Sequence, residues 1–275
     1  MQQSTVSRGD LLVGLADSLH NAQETRAPIK PLTDTVPDLS LAEAYRIQRH
    51  NIDRAVKNGQ RVIGHKIGLT AIAMQQLFGV DEPDYGHLTD AMMLDPGQPL
   101  ALDRLIDPQI EVEPAFVLKK DLKGPGLTVD HVLDATDYIS ICFEIIDSRI
   151  EDWRIKLEDT VSDNGSSAFV LMGETRFGPR DFDLRELRTE LHVDGVLVEE
   201  GNTSAILGHP ANGIAWLANK ISEFGNHLHA GDIVLPGTCT RSYRIAGKGS
   251  ATGSIARLGE VALNFTGRPT VVKEA

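Results

Sequence analysis

Two stretches near the start of the chain place hydrophobic residues at helical spacing. Apolar residues recur every three or four positions from 11 to 19, and a second pattern of this kind runs from 40 to about 57. Ser40 and Glu43 form a capping box at the start of the second stretch, because each side chain can satisfy a free backbone amide of the other residue. We therefore predict two helices, joined by a linker over 27–38 that contains three prolines.

After residue 60 the pattern changes to short apolar or alternating runs, which are typical of strands. Asp194 and Gly195 favour a tight hairpin turn, and Pro210 favours the first turn of a helix. The predicted strands cover 61–67, 110–119, 138–147, the two arms of a hairpin over 187–200, 233–235, 254–256 and 261–265. The predicted helices cover 71–78, 128–135 and 209–224. Strands dominate without regular alternation with helices, so we predict an α+β fold, with a helical N-terminal segment over 1–60 and a β-rich domain over 61–275.

The charge balance excludes several classes of partner. With 27 Lys and Arg against 39 Asp and Glu, the formal net charge is −12. Such a surface repels nucleic acid and anionic lipid, so neither is an expected partner. It also repels small anions, so an anionic ligand needs a local cation, which is either a metal ion or a buried lysine.

Cysteine usage and the longest apolar runs indicate the compartment. Cys142 and Cys239 are far apart in sequence and lie among apolar or small residues, which predicts no disulfide framework. The start of the chain lacks the pattern of a signal peptide, and the longest apolar runs are too short to span a bilayer. We therefore expect a soluble, cytoplasmic enzyme.

A pair of glutamates in a predicted strand is the first candidate for chemistry. Glu111 and Glu113 lie two residues apart, so they project from the same face of a strand. Adjacent carboxylates repel each other, and a divalent cation would offset that repulsion. Oxygen ligands suit Mg²⁺, Mn²⁺ or Ca²⁺ and not zinc. The alternative is an ordinary solvated pair, which the spacing by itself favours because this pattern is common.

Glu144 changes the balance between these interpretations. It lies between apolar residues of a predicted strand, where an unpaired carboxylate is energetically expensive. One interpretation is an ion pair with Arg149, and the other is a third metal ligand beside Glu111 and Glu113. Because no comparable run of basic residues accompanies the three acids, the sequence favours a metal.

Three further residues are candidates, each with a structural alternative. Lys66 lies in a short strand that ends at a glycine, where it can bind a substrate carboxylate or, with a lowered pKa, exchange protons; a surface lysine on an edge strand fits equally well. Asp84 lies in a segment over 82–86 that is interpreted as a tight loop, where aspartate is also common for structural reasons. Ser166 belongs to a polar cluster over 159–167, which either binds a polar ligand or forms a turn.

Seven sequence blocks, in this order, resemble a known family. They are GHKIGLT at 64–70, EPDYG at 82–86, PQIEVEPAFVL at 108–118, ATDYISICFEIIDSR at 135–149, DTVSDNGSS at 159–167, LGHPANGIAWLANK at 207–220 and GDIVLPGT at 231–238. Together they resemble the 2-keto-4-pentenoate hydratase and 4-oxalocrotonate decarboxylase family, within the fumarylacetoacetate hydrolase superfamily. The resemblance covers nearly the whole chain and implies a mixed-sheet roll of the fumarylacetoacetate hydrolase type.

The resemblance implies a magnesium- or manganese-dependent enzyme of the meta-cleavage catabolism of aromatic or steroid rings. Its substrates would be 2-hydroxy-dienoates or their 2-oxo tautomers. The implied metal ligands are Glu111, Glu113 and Glu144, the catalytic residues are Lys66, Asp84 and Ser166, and the substrate-binding residues are Leu69, Thr70, Thr238 and Thr240. Members of the family assemble and pair with partner enzymes, so we expect a homo-oligomer and a complex with an enzyme of the same pathway.

Hydration and decarboxylation both stay open. Asp84 and the segment 152–164 are closer to the hydratases, which need proton donors and a position for water. The expected reaction is therefore addition of water to a 2-hydroxy-2,4-dienoate to give a 4-hydroxy-2-oxo acid. The alternative is decarboxylation of a 2-oxo-3-enedioate, and a third interpretation is a non-catalytic, metal-stabilised assembly subunit. Two departures from the family pattern are Gly165, which leaves the function of its loop intact, and the stretch 241–253, which leaves the choice of substrate open.

Overall fold

The computed structural model describes residues 7–72, 75–76 and 79–271. Within these ranges the helices are α1 (Arg8–Thr25), α2 (Leu32–Thr35), α3 (Leu41–Lys57), α4 (Val129–Ala135), α5 (Leu157–Ser162) and α6 (Pro210–Ser222). The strands are β1 (Val62–Gly68), β2 (Asp84–Thr89), β3 (Leu100–Ala101), β4 (Pro108–Leu118), β5 (Thr136–Asp147), β6 (Ser167–Met172), β7 (Arg188–Val193), β8 (Val196–Asn202), β9 (Ile233–Leu235), β10 (Tyr243–Arg244), β11 (Gly249–Ile255) and β12 (Gly259–Thr266). The predicted α+β class and the helical N-terminal segment are confirmed.

The N-terminal helices follow the predicted pattern closely. Ser40 Oγ accepts a hydrogen bond from the Glu43 amide at 3.4 Å, and Glu43 Oε2 accepts one from the Ser40 amide at 3.0 Å, so the predicted capping box is confirmed. The short helix α2 lies inside the predicted linker, which is therefore partly helical. Of the predicted helix over 71–78, residues 73, 74, 77 and 78 lie outside the described part of the chain.

The larger sheet is mixed and has the strand order β2-β1-β9-β4-β5-β6, with β10 beside β4. β1 pairs antiparallel with β2 and parallel with β9, while β4 and β5 form a long antiparallel pair. The predicted tight loop over 82–86 is wrong from Asp84 onwards, where the chain forms β2. The segment has a turn-like composition but forms a strand, because its backbone N–H and C=O groups make hydrogen bonds with β1. The pairing runs from Gly68 opposite Asp84 to Val62 opposite Thr89.

The smaller sheet has the order β3-β12-β11-β7-β8 and packs on β4 and β5. Its predicted hairpin is confirmed, because Asp194 (φ 48°) and Gly195 (φ 78°) turn the chain between β7 and β8. A Cβ atom at Gly253 of β11 would lie 2.7 Å from the Phe143 ring and 2.9 Å from Val112. The missing side chain therefore lets the two sheets approach each other at this point.

Buried polar contacts hold the N-terminal helices against the rest of the chain. Gln48 of α3 is 1% exposed, and its amide donates to the carbonyls of Tyr85 and Val161 at 3.0 and 2.9 Å. Asp159 of α5 accepts from the amide and the hydroxyl of Thr33 at 3.1 and 2.8 Å. The division at residue 60 into a helical segment and a β-rich domain stays a prediction. None of the described helices combines the length and the apolar character needed to cross a membrane.

Candidate metal centre and active site

Three glutamates converge where β4 and β5 pair. Glu111 lies directly opposite Glu144 in the antiparallel register, and Glu113 follows two residues later on the same face of β4. One carboxylate oxygen from each residue lies within 4.8 Å of the other two. The structure therefore brings the three predicted metal ligands into one cluster.

Burial and pairing test the alternatives for these glutamates. Glu113 is 1% exposed and Glu144 is 0% exposed, so Glu113 does not belong to a solvated pair. Arg149, the alternative partner of Glu144, instead forms a buried ion pair with Asp163. The interpretation of Glu144 as an ion pair with Arg149 is therefore wrong.

Burial raises the pKa of all three carboxyl groups. The pKa of Glu111 rises to about 7, with burial as the first cause and the charge of Glu144 as the second. Burial and then the charges of Glu144 and Glu111 raise the pKa of Glu113 well above its usual range. Burial also raises the pKa of Glu144, against the opposing charge of Lys66. The ionised cluster therefore needs a compensating cation.

The donor set fits a hard divalent cation. Neither oxygen of Glu144 has a hydrogen-bond partner among the described residues, although both are fully buried. Glu113 is held in place, because its Oε2 accepts a hydrogen bond from the Gly237 amide at 2.9 Å. Carboxylate oxygens are the ligands that Mg²⁺, Mn²⁺ and Ca²⁺ prefer, and a bound ion would satisfy the oxygens that the protein leaves without partners.

Lys66 reaches the same cluster from β1. Its Nζ donates to the Gly165 carbonyl at 3.1 Å and lies 3.9 Å from Glu144 Oε1. Burial alone lowers the pKa of this ammonium, but the charges of Glu144, Asp84 and the other two glutamates raise it above its ordinary value. Lys66 is therefore a buried cation, and the lowered pKa considered from sequence is not what the protein residues produce.

Asp84 lies at the start of β2, opposite Gly68, and Lys66 precedes Gly68 by two residues on β1. It is 3% exposed, and its Oδ1 has no hydrogen-bond partner within the described part of the chain. Burial raises the pKa of Asp84, while the charge of Lys66 opposes the rise. A Cβ atom at Gly68 would lie 2.3 Å from Asp84 Oδ1, so the missing side chain at position 68 makes room for this carboxyl group.

Ser166 lies in a short turn between α5 and β6. Three consecutive residues, Asn164 (φ 57°), Gly165 (φ 61°) and Ser166 (φ 56°), adopt the left-handed conformation there. This turn presents the Gly165 carbonyl to Lys66, and it brings Ser166 Oγ to 3.5 Å from Asp163 Oδ2. Of the polar cluster over 159–167, residues 159–162 belong to α5 and residues 164–166 form the turn, which also lies against the predicted catalytic lysine.

A cavity of about 760 Å³ opens beside these groups. All predicted site residues except Glu144 line it, namely Lys66, Leu69, Thr70, Asp84, Glu111, Glu113, Ser166, Thr238 and Thr240. Glu144 reaches the glutamate cluster from the neighbouring strand. The structure thus surrounds one cavity with residues from β1, β2, β4, the turn before β6 and the loop after β9.

The cavity wall also contains residues that sequence reasoning did not assign to the site. Gln109 lies two residues before Glu111 on the same face of β4, so strand alternation was a signal that could have found it. Trp153 and Ile155, between β5 and α5, and Arg241, between β9 and β10, carry no such local signal. Tertiary packing alone brings these three side chains to the cavity.

Comparisons with known proteins agree with this geometry. The family model of the fumarylacetoacetate (FAA) hydrolase C-terminal domain matches residues 71–266. The chain is 44% identical over 216 residues to 2-hydroxypent-2,4-dienoate hydratase from Pseudomonas putida, which covers 78% of this chain and 97% of that protein. It is 40% identical over 261 residues to 2-keto-4-pentenoate hydratase from Burkholderia vietnamiensis, which covers 95% of this chain and 100% of the relative.

A solved structure extends the likeness to three dimensions. The structure of 4-oxalocrotonate decarboxylase from Pseudomonas putida, complexed with magnesium and adipate, superposes with a TM-score of 0.90 at 34% identity. The match covers 95% of this chain and 99% of the decarboxylase, so it includes the N-terminal helices. With most of its length matched by the family model and by relatives of about 40% identity, the chain belongs to the fumarylacetoacetate hydrolase family.

Proposed function

We propose that this protein is a divalent-cation-dependent hydro-lyase. It adds water to a 2-hydroxy-2,4-dienoate, of the 2-hydroxypenta-2,4-dienoate type, and yields a 4-hydroxy-2-oxo acid. The observation that carries the proposal is the cluster of three glutamates, of which Glu113 and Glu144 are buried, at a cavity that Lys66 and Asp84 also line. Two relatives named as hydratases, at 44% and 40% identity, support the choice of reaction.

We assign the cation to Glu111, Glu113 and Glu144. Mg²⁺ and Mn²⁺ both suit an all-carboxylate set, and the magnesium complex of the related decarboxylase supports this assignment. When bound, such an ion polarises the 2-oxo group of the substrate and stabilises the negative charge of its enolate. A local positive charge is also needed because the chain has a net charge of −12, which by itself repels an anionic substrate.

Lys66 supplies the second positive charge of the site. Its ammonium has three N–H donors, one of which is used on the Gly165 carbonyl at 3.1 Å. The remaining donors can bind a substrate carboxylate in the cavity that Lys66 lines. Ser166, Leu69, Thr70, Thr238 and Thr240, which line the same cavity, are the proposed residues that position the substrate.

The reaction requires proton transfers at carbon and one water molecule. The dienol loses the proton of its 2-hydroxyl group and gains one at C5, which gives the conjugated 2-oxo-3-enoate. Water then adds its oxygen at C4 and a proton arrives at C3, so the product is the substrate plus one water. We assign the proton transfers to Lys66 and Asp84. Burial raises the pKa of Asp84, and this favours the protonated form that a donor to carbon needs.

The lining of the cavity bears on how long a substrate can be. It includes Gln109, Ile146, Trp153, Ile155 and Arg241, a mixture of apolar surface with one amide and one guanidinium group. A volume of about 760 Å³ lies in the range of sites that hold ligands much larger than a five-carbon acid. We propose that dienoates with a chain beyond C5 also fit.

A specific observation supports a second candidate reaction, which is decarboxylation of a 2-oxo-3-enedioate. The solved structure that superposes with a TM-score of 0.90 is a decarboxylase, and it would share the cation site. The two reactions differ in their products, since a decarboxylase releases CO₂ and a hydratase consumes water. A non-catalytic assembly subunit is the third interpretation, and the position of Lys66 beside the three glutamates, at the same cavity, argues against it.

One experiment separates these functions. Ultraviolet absorbance would follow 2-hydroxypenta-2,4-dienoate with Mg²⁺ present and after addition of EDTA, and CO₂ would be measured in parallel with a 2-oxo-3-enedioate. We expect magnesium-dependent loss of the dienoate and no CO₂. Release of CO₂ without hydration would establish the decarboxylase, and bound cation with no turnover of either acid would establish the assembly subunit.

The assembly state is a separate proposal. We propose a homo-oligomer that also binds an enzyme of the same pathway, because the resemblance to the family implies both. Light scattering during size-exclusion chromatography would give the mass of the particle in solution, against 29.9 kDa for one chain. A particle with the mass of one chain would contradict the proposal.

A further inference from the structure

A cluster of two histidines and one aspartate lies outside the cavity described above. Asp121, His227 and His229 each offer a ligand atom, and these atoms lie within 4.8 Å of one another. None of the three residues lines the active-site cavity. Their donor set of two imidazole nitrogens and one carboxylate differs from the three carboxylates of the active site, so the two clusters favour different metals.

Backbone pairing places the three side chains on one face. Leu122 and Leu228 form an isolated antiparallel bridge, with hydrogen bonds in both directions at 2.9 and 3.2 Å. Both leucines point into the core, with exposures of 3% and 0%. Because neighbouring residues in extended chain point to opposite faces, Asp121, His227 and His229 project together towards solvent. The juxtaposition follows from the fold, since about a hundred residues separate the two segments.

Local contacts orient the cluster. Asp121 Oδ1 accepts a hydrogen bond from the Ala230 amide at 3.0 Å, and Asp121 Oδ2 lies 3.5 Å from His227 Nε2. The His229 amide donates to Asp232 Oδ2 at 2.8 Å, which fixes the backbone of that histidine. The two imidazole rings lie 4.2 Å apart between centroids. Their nitrogens and the carboxylate therefore need only small side-chain rotations to share one ion.

We propose that Asp121, His227 and His229 form a second metal site, which binds Zn²⁺ or another borderline transition-metal ion in preference to Mg²⁺. Two imidazoles and one carboxylate, completed by a water molecule, form a tetrahedral set of the kind that zinc accepts. Magnesium binds such a site poorly, because it prefers oxygen ligands in octahedral geometry. The site is independent of the proposed reaction, so it stands whether or not the enzyme is a hydratase.

Lys123 opposes metal binding at this site. Its Nζ lies 3.2 Å from Asp121 Oδ2, so the ammonium forms an ion pair with this carboxylate in the absence of a metal. A bound cation must displace Lys123 and overcome its repulsion. Removal of the ammonium should therefore increase the affinity, which is the opposite of what removal of a ligand does.

The ion would join two segments that flank the active-site sheet. Asp121 follows β4, and the histidines precede β9, which leads to the Gly237 amide that holds Glu113. The two segments are already joined near this point, because the Gly231 amide donates to the Leu118 carbonyl at 2.7 Å. Metal binding to the folded chain should therefore raise its thermal stability.

The test uses the full chain without an affinity tag, with excess Mg²⁺ at the active site. Titration with Co²⁺ distinguishes the sites, because tetrahedral cobalt absorbs visible light much more strongly than octahedral cobalt with oxygen ligands. Calorimetric titration with Zn²⁺ gives the affinity. We expect one equivalent of tetrahedral cobalt, and one zinc whose binding raises the melting temperature.

Matched variants identify the ligands. The double variant His227→Ala/His229→Ala should bind Zn²⁺ at least about tenfold more weakly. His192→Ala, which alters a partly buried histidine on another sheet, should bind zinc as the unchanged protein does. Lys123→Met should bind zinc more tightly. Unchanged melting temperatures in the absence of zinc would show that the variants fold.

Three results would overturn the proposal. The first is an absence of tetrahedral cobalt in the unchanged protein. The second is zinc affinity in the double histidine variant equal to that of the unchanged, magnesium-saturated chain. The third is weaker zinc binding after Lys123→Met, since the ammonium would then contribute to the site instead of opposing it.

Discussion

Glu144 shows at the scale of one residue what the active site requires. It is 0% exposed, and neither of its oxygens has a hydrogen-bond partner within the described part of the chain. The free energy of burying such a carboxylate is unfavourable by several kcal/mol unless a charge compensates it. Lys66 at 3.9 Å supplies one positive charge to a cluster that contains three carboxylates. A divalent cation would supply the two further positive charges that balance the three carboxylates.

The first prediction concerns Glu144→Gln. The variant should bind Mg²⁺ at least about tenfold more weakly and lose turnover, because one anionic ligand is gone. In EDTA at pH 8, the same variant should be more stable than the unchanged protein by on the order of 1–3 kcal/mol, since repulsion among buried carboxylates decreases. Calorimetric titration and chemical unfolding measure the two effects.

Glu174→Gln is the matched control for this prediction, because Glu174 is an exposed glutamate. It should change neither cation affinity nor stability in EDTA. If Glu144→Gln kept both its cation affinity and its turnover, the assignment of Glu144 as a ligand would be wrong. If Glu144→Gln were less stable than the unchanged protein in EDTA, repulsion among the carboxylates would not be the dominant effect.

The second prediction concerns Lys66→Met, which removes a charge and keeps the length of the side chain. Turnover should fall by about 10²–10⁴-fold if Lys66 transfers protons. Affinity for Mg²⁺ should rise, because a positive charge 3.9 Å from Glu144 is removed. Steady-state kinetics and calorimetric titration test the two effects separately. Lys119→Met, at an exposed position, is the control, and an unchanged kcat in Lys66→Met would exclude the proton-transfer role.

Among the elements, the β1–β2 pair partly buries two histidines on the strands that carry Lys66 and Asp84. His65 of β1 and His87 of β2 lie opposite each other, with ring centroids 4.8 Å apart. His87 Nδ1 lies 3.0 Å from Gln48 Oε1, so this imidazole nitrogen donates to the amide oxygen of α3. Burial lowers the pKa of His87 to about 4 and that of His65 well below its usual value. Both imidazoles are therefore neutral in the folded chain.

The third prediction is a dependence of stability on pH that comes from these histidines. Each folded pKa lies below the unfolded value of about 6.5, so the unfolded chain binds more protons at acidic pH. The stabilisation is complete above pH 6.5 and is lost as the pH falls through each folded pKa. For His87 the loss occurs between about pH 6.5 and about pH 4 and amounts to about 3 kcal/mol.

Chemical unfolding of the unchanged protein and of His87→Gln at several pH values measures this effect. The variant should lose less stability between pH 6.5 and pH 4, and the difference between the two curves removes the contribution of the carboxyl groups. Parallel curves would contradict the assignment of a low pKa to His87.

The fourth prediction concerns the loop after β9. Gly237 has a φ of 122°, and a Cβ atom there would lie 2.1 Å from Thr70 Oγ1. Its amide also holds Glu113 Oε2 at 2.9 Å. Gly237→Ala should therefore decrease the free energy of unfolding by about 1–3 kcal/mol and weaken cation binding. Thermal unfolding and titration with Mg²⁺ measure both. Gly247→Ala, where the added atom meets open space, should have neither effect.

At the scale of the whole molecule, buried hydrogen bonds connect the N-terminal helices to the segments that carry the site. Gln48 donates to the carbonyl of Tyr85, the residue after Asp84, and to the carbonyl of Val161 in the helix before Ser166. These hydrogen bonds connect the described chain across the predicted boundary at residue 60. Without them, the Gln48 amide and the two carbonyl groups would lose these hydrogen-bond partners.

The fifth prediction is that the full chain unfolds in one cooperative transition. Far-ultraviolet circular dichroism includes the N-terminal helices, whereas Trp153 and Trp216, which supply the tryptophan fluorescence, both follow residue 60. The two signals should coincide during unfolding with urea, and a chain that lacks residues 1–60 should not fold. Separate transitions, or a stable truncated chain, would establish two independent domains.

Local rules explain which elements could be predicted and which could not. The capping box at Ser40 and the turn at Asp194 depend on neighbouring residues only, and both are confirmed. The loop predicted around Asp84 is a strand, because its backbone finds its partner in β1. Strand β6, which the pattern missed, is likewise defined by its pairing with β5.

Periodicity, strand alternation and ordered motifs are properties of the chain alone, so the class of fold, the common face of Glu111 and Glu113, and the family could be predicted without coordinates. Folding, in contrast, brings Glu144 to them across a strand pair, pairs Arg149 with Asp163, and places Lys66 beside Glu144. Those outcomes depend on long-range register and burial, which fix the distance between residues that the chain separates. The same physical reason applies to the two histidines beside Leu228, whose aspartate partner only the fold supplies.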